Sequence, residues 1–183
     1  MPRTILSTYS DGPTLTAAAA ASLLPTYAPT VVPAGYFQIG RVWRLTATGR
    51  ISCAVTTPGT ARFDVRLGSV TVFDSLAIPL NIVAKTNVSW FLDVLLTCRS
   101  AGTGTSATLF GHGRWLSEAN INTAVPATGP GPGGCLIPFN TAPVVGTGFD
   151  STIANALDVR FTQTVATGSM TCHQLLIEEL TGL

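Results

Sequence analysis

Charged side chains are few in this sequence: Asp, Glu, Lys and Arg make up 10% of 183 residues, against roughly 25% in an ordinary globular domain. The 10 basic and 9 acidic residues stand singly and leave a formal net charge of +1. No basic stripe exists to neutralise phosphates, so nucleic acid is not an expected partner. Long apolar runs are missing as well. Mean hydropathy is +0.41, yet no run approaches the roughly 20 apolar residues of a membrane helix, and no membrane partner is expected. The apolar side chains must then be hidden inside the fold and against other protein surfaces. The four cysteines, Cys53, Cys98, Cys135 and Cys172, form no CxxC pair. Their spacing suits neither a zinc site nor a compact disulfide scaffold, and three fall in strand-like runs as small buried hydrophobes.

Catalytic signatures are equally absent. No serine sits in a GxSxG elbow, and neither HExxH nor a Walker-type loop occurs. The run Gly111-His112-Gly113-Arg114 has the glycines of a phosphate loop but no helix after it to supply the anion site. The two histidines, His112 and His173, lie inside alternating runs and read as structural. Asp64 and Asp93 are conceivable as paired carboxylates, but Arg62, Arg66 and Arg99 share their strand faces and point to cross-strand ion pairs. Glu178 and Glu179 read as a solvated strand end. The chain is therefore expected to be non-enzymatic, with no cofactor, metal or small-molecule substrate.

What is present divides at about residue 35. A length of 183 residues fits one domain plus a modest extension, and a chain of that size hides roughly 70% of its unfolded surface. In residues 1–35, Ser10-Asp11-Gly12-Pro13 interrupts the stretch between Leu6 and Leu15, so no unbroken signal-peptide core forms and secretion is not expected. The sequon Asn87-Val88-Ser89 then has no use. The same residues read as a helix start, with Ser10 or Asp11 as cap and Pro13 in the first turn, and predict a short helix over 14–24 that Pro25 ends. Pro25, Pro29 and Pro33 follow at every fourth position and favour an extended arm. Such an arm has too little apolar surface to fold alone. It is expected to lie on a neighbouring protein, while the body from Tyr36 onward folds without it.

From residue 36 to 183 the period is two. Residues 42–55 place Trp43, Leu45, Ala47, Gly49, Ile51 and Cys53 on one face, with Arg44, Thr46, Thr48, Arg50 and Ser52 on the other. Residues 62–67 alternate, and a turn at Gly68-Ser69 leads into 70–73. Residues 89–99 put Trp90, Leu92, Val94, Leu96 and Cys98 on one face; 108–116 return after a Gly/Thr/Ser loop. Residues 125–146, with Gly129-Pro130-Gly131-Pro132-Gly133-Gly134, read as a long irregular crossing. Two last strands, 156–164 and 170–179, close the chain, the second with Cys172, Gln174 and Leu176 on one face and His173, Leu175 and Ile177 on the other. Seven to eight strands with hairpins and no βα alternation predict an all-β, two-sheet antiparallel sandwich of jelly-roll type, preceded by the arm and its short helix. The last strand is apolar on both faces, which calls for a cover. Leu175 and Ile177, with Leu23, Leu24, Tyr27, Val31 and Val32 of the arm, are the expected contacts with a partner or a second copy.

The stretches that carry a likeness are Asp11-Gly12-Pro13-Thr14-Leu15-Thr16-Ala17, Phe37-Gln38-Ile39-Gly40-Arg41-Val42, and Arg44-Leu45-Thr46-Ala47-Thr48-Gly49-Arg50-Ile51-Ser52. To these add Trp90-Phe91-Leu92-Asp93, Leu95-Leu96-Thr97-Cys98-Arg99, Asn155-Ala156-Leu157-Asp158 and Thr171-Cys172-His173-Gln174 before Glu178. From about residue 10 to 180 the chain resembles a family of tailed-bacteriophage structural proteins with a β-sandwich body. The resemblance implies a virion protein made in the host cytoplasm. Foremost is a capsid decoration (cement) protein on the outer head surface that forms a homotrimer and clamps the major capsid protein; the alternative is a tail, baseplate or fibre module that binds a receptor. It also implies four free thiols, since assembly in a reducing cytoplasm disfavours disulfides.

Overall fold

The computed structural model describes residues 2–28, 30–54, 58–120 and 134–180. Among the described residues there is no α-helix. The strands are β1 (Arg3–Ser7), β2 (Ala20–Ser22), β3 (Thr30–Val32), β4 (Val42–Cys53), β5 (Thr60–Leu67), β6 (Val70–Asp74), β7 (Ile78–Pro79), β8 (Lys85–Ser100), β9 (Thr108–Ser117), β10 (Gly134–Ile137), β11 (Asn155–Gln163) and β12 (Ser169–Glu179). They form two antiparallel sheets. The first has the order β1-β12-β4-β8-β9-β10; the second has β2-β11-β5-β6, with β3 also paired to β11 and β7 to β5. In the first sheet β8 pairs with β4 and β9, and β12 returns to the other side of β4; β5, β6 and β7, which lie between β4 and β8 in the chain, belong to the second sheet.

Alternation explains the body. Trp43, Leu45, Ala47, Ile51 and Cys53 of β4 are buried, as are Trp90, Leu92, Val94, Leu96 and Cys98 of β8. From the second sheet come Ala61, Phe63, Val65 and Leu67 of β5 and Leu157, Val159 and Phe161 of β11. The two inner faces share one core. Phe63 of the second sheet meets Trp90 and Trp115 of the first, with ring centroids 5.8 and 5.3 Å apart. Residues 121–133, most of the expected irregular crossing, lie outside the described residues.

β12 departs from simple alternation. Its pairing with β4 shifts between Cys172 and Gln174, leaving His173 as an extra residue, a β-bulge that reverses the phase of everything after it. Cys172, Leu175 and Ile177 all point inward, Gln174 is exposed and Leu176 is half-buried. The expected grouping of Cys172 with Gln174 and Leu176 is thereby corrected. Opposite the bulge is Gly49, where a Cβ would fall 2.0 Å from the Thr171 carbonyl oxygen and 2.9 Å from the Trp90 ring. Only glycine admits that approach.

Nor does the expected helix over 14–24 form. An isolated helix of fewer than about 12 residues is marginal in water, and here two sheet edges compete for its backbone groups. Gly12 N–H donates to Cys172 C=O (2.8 Å), Leu15 exchanges two hydrogen bonds with Met170 (2.8 and 2.9 Å), and Leu23 N–H donates to Val159 C=O (2.8 Å). From β1 the arm follows β12, crosses between the sheets, and then follows β11 through β2 and β3. At the crossing the arm touches itself, since a Cβ at Gly12 would sit 2.1 Å from the Leu23 carbonyl oxygen. The arm thus closes one side of both sheets of its own body.

Candidate contact surface

Of the seven residues expected to meet a partner, five are inside this chain. Leu23, Leu24, Val32, Leu175 and Ile177 belong to its buried core. The expected cover for β12 is the arm itself, since Leu6 lies opposite Ile177 and Thr8 N–H donates to Leu175 C=O at 3.0 Å. Tyr27 and Val31 are at the surface, 39% and 61% exposed. The fold stacks Tyr27 on Tyr9, which the sequence reading did not single out, with centroids 4.0 Å apart and planes 20° from parallel. Tyr9 is 83% exposed. The pair is held by the Tyr27 hydroxyl oxygen, which accepts from the Tyr9 N–H (2.8 Å) and the Ser10 N–H (3.0 Å). Desolvation alone would raise the Tyr27 phenol, but the hydrogen bonds from Ser10 and Tyr9 outweigh it and hold the pKa below the usual 10.0.

A second surface is the outer face of the first sheet. Register places Arg44, Leu95 and His112 in one row, Thr46, Asp93, Arg114 and Leu136 in the next, and Thr48, Phe91 and Leu116 in a third. Leu95, Leu116 and Leu136 are open to solvent. Between them Asp93 is gripped by Arg44 through two hydrogen bonds, Nε–Oδ1 at 2.9 Å and Nη2–Oδ2 at 3.1 Å, with Arg114 Nη2 at 3.5 Å. Planar, bidentate pairing of this kind fixes both side chains. Apolar residues around an arginine pair have the composition that protein interfaces favour. Alternation along β8 puts Leu95 on the face opposite Trp90 and Leu92, whereas Leu136 lies in a stretch without period.

Next to this face a groove of about 790 Å³ is lined by Phe91, Leu116, Thr48, Glu118 and His173. Asp11 of the arm holds His173 through Nδ1 at 2.8 Å. Asp64 is on the second sheet, bonded by Arg66 Nε at 2.6 Å, so it and Asp93 belong to different sheets and do not form a facing pair. Arg62 pairs instead with Asp74, its Nε 2.7 Å from Oδ1, and Arg99 lies over the Phe110 ring at 4.7 Å. Among the described residues no group of three or more His, Cys, Asp or Glu is placed to hold a metal ion. The four cysteines are buried and unbridged.

Glu179 is not a solvated end. In phase with Leu175 and Ile177, it points inward and is 4% exposed. The Tyr36 hydroxyl donates to its Oε2 at 2.6 Å, Trp43 Nε1 donates to the Tyr36 oxygen at 3.0 Å, and Arg41 Nε lies 3.0 Å from Oε1 as an ion pair without hydrogen-bond alignment. Arg41 also donates to the Tyr36 carbonyl. Burial, then the bond to Glu179, push the Tyr36 phenol up to about 12. This clasp fixes the first residue of the body to the end of β12. No protein family, curated protein or solved structure matches the chain.

Proposed function

We propose that this chain is a structural protein of a tailed-bacteriophage particle, a decoration (cement) protein that oligomerises, as a trimer, on the outer head surface and braces the shell of major capsid protein. The reading rests first on the outer face of the first sheet, where Leu95, Leu116 and Leu136 are exposed around the Arg44–Asp93–Arg114 network. A protein with 10% charged residues and such a face is suited to permanent neighbours. The likeness of its sequence stretches to phage virion proteins supplies the partner. A body of jelly-roll type fits the nested pairing of β4 with β12 and β5 with β11.

A cement protein binds the assembled shell and not free subunits, and so shifts assembly toward the shell by mass action. Attachment through apolar contact depends little on salt, unlike a charge-steered complex. The test mixes purified protein with bare shells of the cognate phage at low and physiological salt, then measures co-sedimentation and the temperature of shell rupture. Decorated shells should rupture later, and Leu95→Asp with Leu136→Asp should abolish binding while leaving the fold intact. Equal rupture thresholds for bare and decorated shells would defeat the bracing role and favour a tail or receptor-binding module.

A further inference from the structure

The arm is joined to the body along one continuous seam. β1, Thr8, Gly12 and Leu15 pair with β12; β2, Leu23 and β3 pair with β11. Side chains follow the same two strands: Thr14 with Thr171 at 3.0 Å, Asp11 with His173 at 2.8 Å, Ser22 with Asp158 at 2.6 Å, and Arg160 with the Ala20 carbonyl at 2.9 Å. Toward the core the arm contributes Leu6, Leu23, Leu24, Ala28 and Val32. Arm and body are connected only through Pro33, Ala34 and Gly35, all three exposed, with Gly35 at φ 71°. Two backbone bonds hold this connection in its turn: Gly35 N–H to Ser151 C=O (2.8 Å) and Tyr36 N–H to Pro33 C=O (3.2 Å). Immediately beyond it, the Tyr36–Glu179–Arg41 clasp anchors the body independently of the arm.

We propose that the arm is exchanged between copies of this chain, residues 2–32 of one copy seating on β12 and β11 of its neighbour in the oligomer. A second copy is the occupant that fits because the seat is shaped for this arm: every bond of the seam and every buried arm side chain is retained when an identical arm supplies it. Exchange opens only the turn at 33–36, whose two backbone groups water can satisfy. Exchange of an identical element is a low-cost route to an oligomer. It also reconciles the burial of Leu23, Leu24, Val32, Leu175 and Ile177 with the expectation that they meet a second copy, since they would then be core residues of each fold and contacts between copies. An armless body would bare the edges of two sheets, so the exchanged arm is also a reason for subunits not to separate.

This inference rests on the oligomeric reading above, and the experiment separates the two. Thr4 and Glu178 are directly opposed across the seam, at a spacing that a disulfide spans. Chains carrying Thr4→Cys and chains carrying Glu178→Cys are mixed in denaturant, refolded together, and oxidised; native mass is measured in parallel. Exchange predicts a disulfide-linked pair of one chain of each kind, and a chain carrying both substitutions should link into multi-chain species on a non-reducing gel. Ala20→Cys with Thr162→Cys, opposed on the second sheet, repeats the test should the first pair disturb folding. An oligomeric native mass with only single-chain disulfides in the doubly substituted protein overturns exchange and leaves the oligomer standing. A monomeric mass overturns both.

Discussion

Among the described residues, the body from Tyr36 onward and the arm before Pro33 both supply strands to the two sheets, but they do so by different routes. In the body, β4 lies between β12 and β8, and β8 between β4 and β9. Each of these strands carries its own alternating apolar face, so its pairing and its burial are encoded together. In the arm, five residues from Ala17 to Ala21 lie between Pro13 and Pro25 and carry no period-two signal. Ala20 and Ala21 nonetheless become strand, because β11 presents an unpaired edge beside them. The difference shows that propensity decides little where a neighbour offers a ladder of backbone partners. An arm of this kind is ordered by its seat and has no order of its own to lose.

The strongest way to break the comparison is to remove the arm. A chain beginning at Pro33 loses the buried Leu6, Leu23, Leu24, Ala28 and Val32 together. Truncating one large buried aliphatic residue costs about 2–5 kcal/mol, and whole domains have only about 5–15 kcal/mol in hand. The expected outcome is a body without a cooperative thermal transition, by circular dichroism, at temperatures where the full chain is folded. A sharp melt close to that of the full chain would make the arm an appendage. A finer comparison sets Leu23→Ala in the arm against Leu92→Ala in β8, whose side chains are 0% and 1% exposed. Each should lower stability by about 2–5 kcal/mol in urea titration. A cost below about 1 kcal/mol at Leu23 alone would mean that the arm packs more loosely than the body.

The limits of sequence reading fall along the same boundary. The inward faces of β4, β5, β8 and β11 were readable because one residue in two is apolar and the partner strands obey the same rule. Phase failed in β12, where the bulge at His173 moves Leu175 and Ile177 inward and carries Glu179 with them. Gly49 was the only local trace, and its meaning depends on the Thr171 carbonyl across the sheet. The helix expected over 14–24 failed because nothing local records the edges that claim those residues. Of the contact surface, Leu95 was readable as an outward apolar residue. The Tyr9–Tyr27 stack joins residues 18 apart in an arm whose path no local pattern sets.

The smallest expected effect contrasts a phenol from each region. Tyr36, in the body clasp, holds its proton more tightly folded than unfolded, its pKa rising from 10.0 to about 12. Its contribution is therefore complete below pH 10 and is lost as pH climbs through about 12, because the unfolded chain releases the proton first. Tyr27, in the arm, is shifted the other way; its contribution is present above pH 10 and is lost as pH falls through its lower folded value. Cys172, which burial pushes from 9.0 to about 12, adds a decline of the same sign as Tyr36 in every variant. Urea midpoints between pH 8.5 and 11.5, under reducing conditions, separate these effects by slope and not by level. In the unmodified chain, stability should fall above about pH 9 as Cys172 contributes, and more steeply above about pH 10 where Tyr36 joins it. Tyr36→Phe should lower the starting level by removing the bond to Glu179, yet flatten the fall, by well under the roughly 1.4 kcal/mol per pH unit that a fully shielded group gives. Tyr27→Phe should instead remove a small gain in stability with rising pH that is confined to below about pH 10. Equal slopes in the unmodified chain and Tyr36→Phe would show that the phenol titrates as freely in the fold as out of it, and the clasp would then not distinguish the body from the arm.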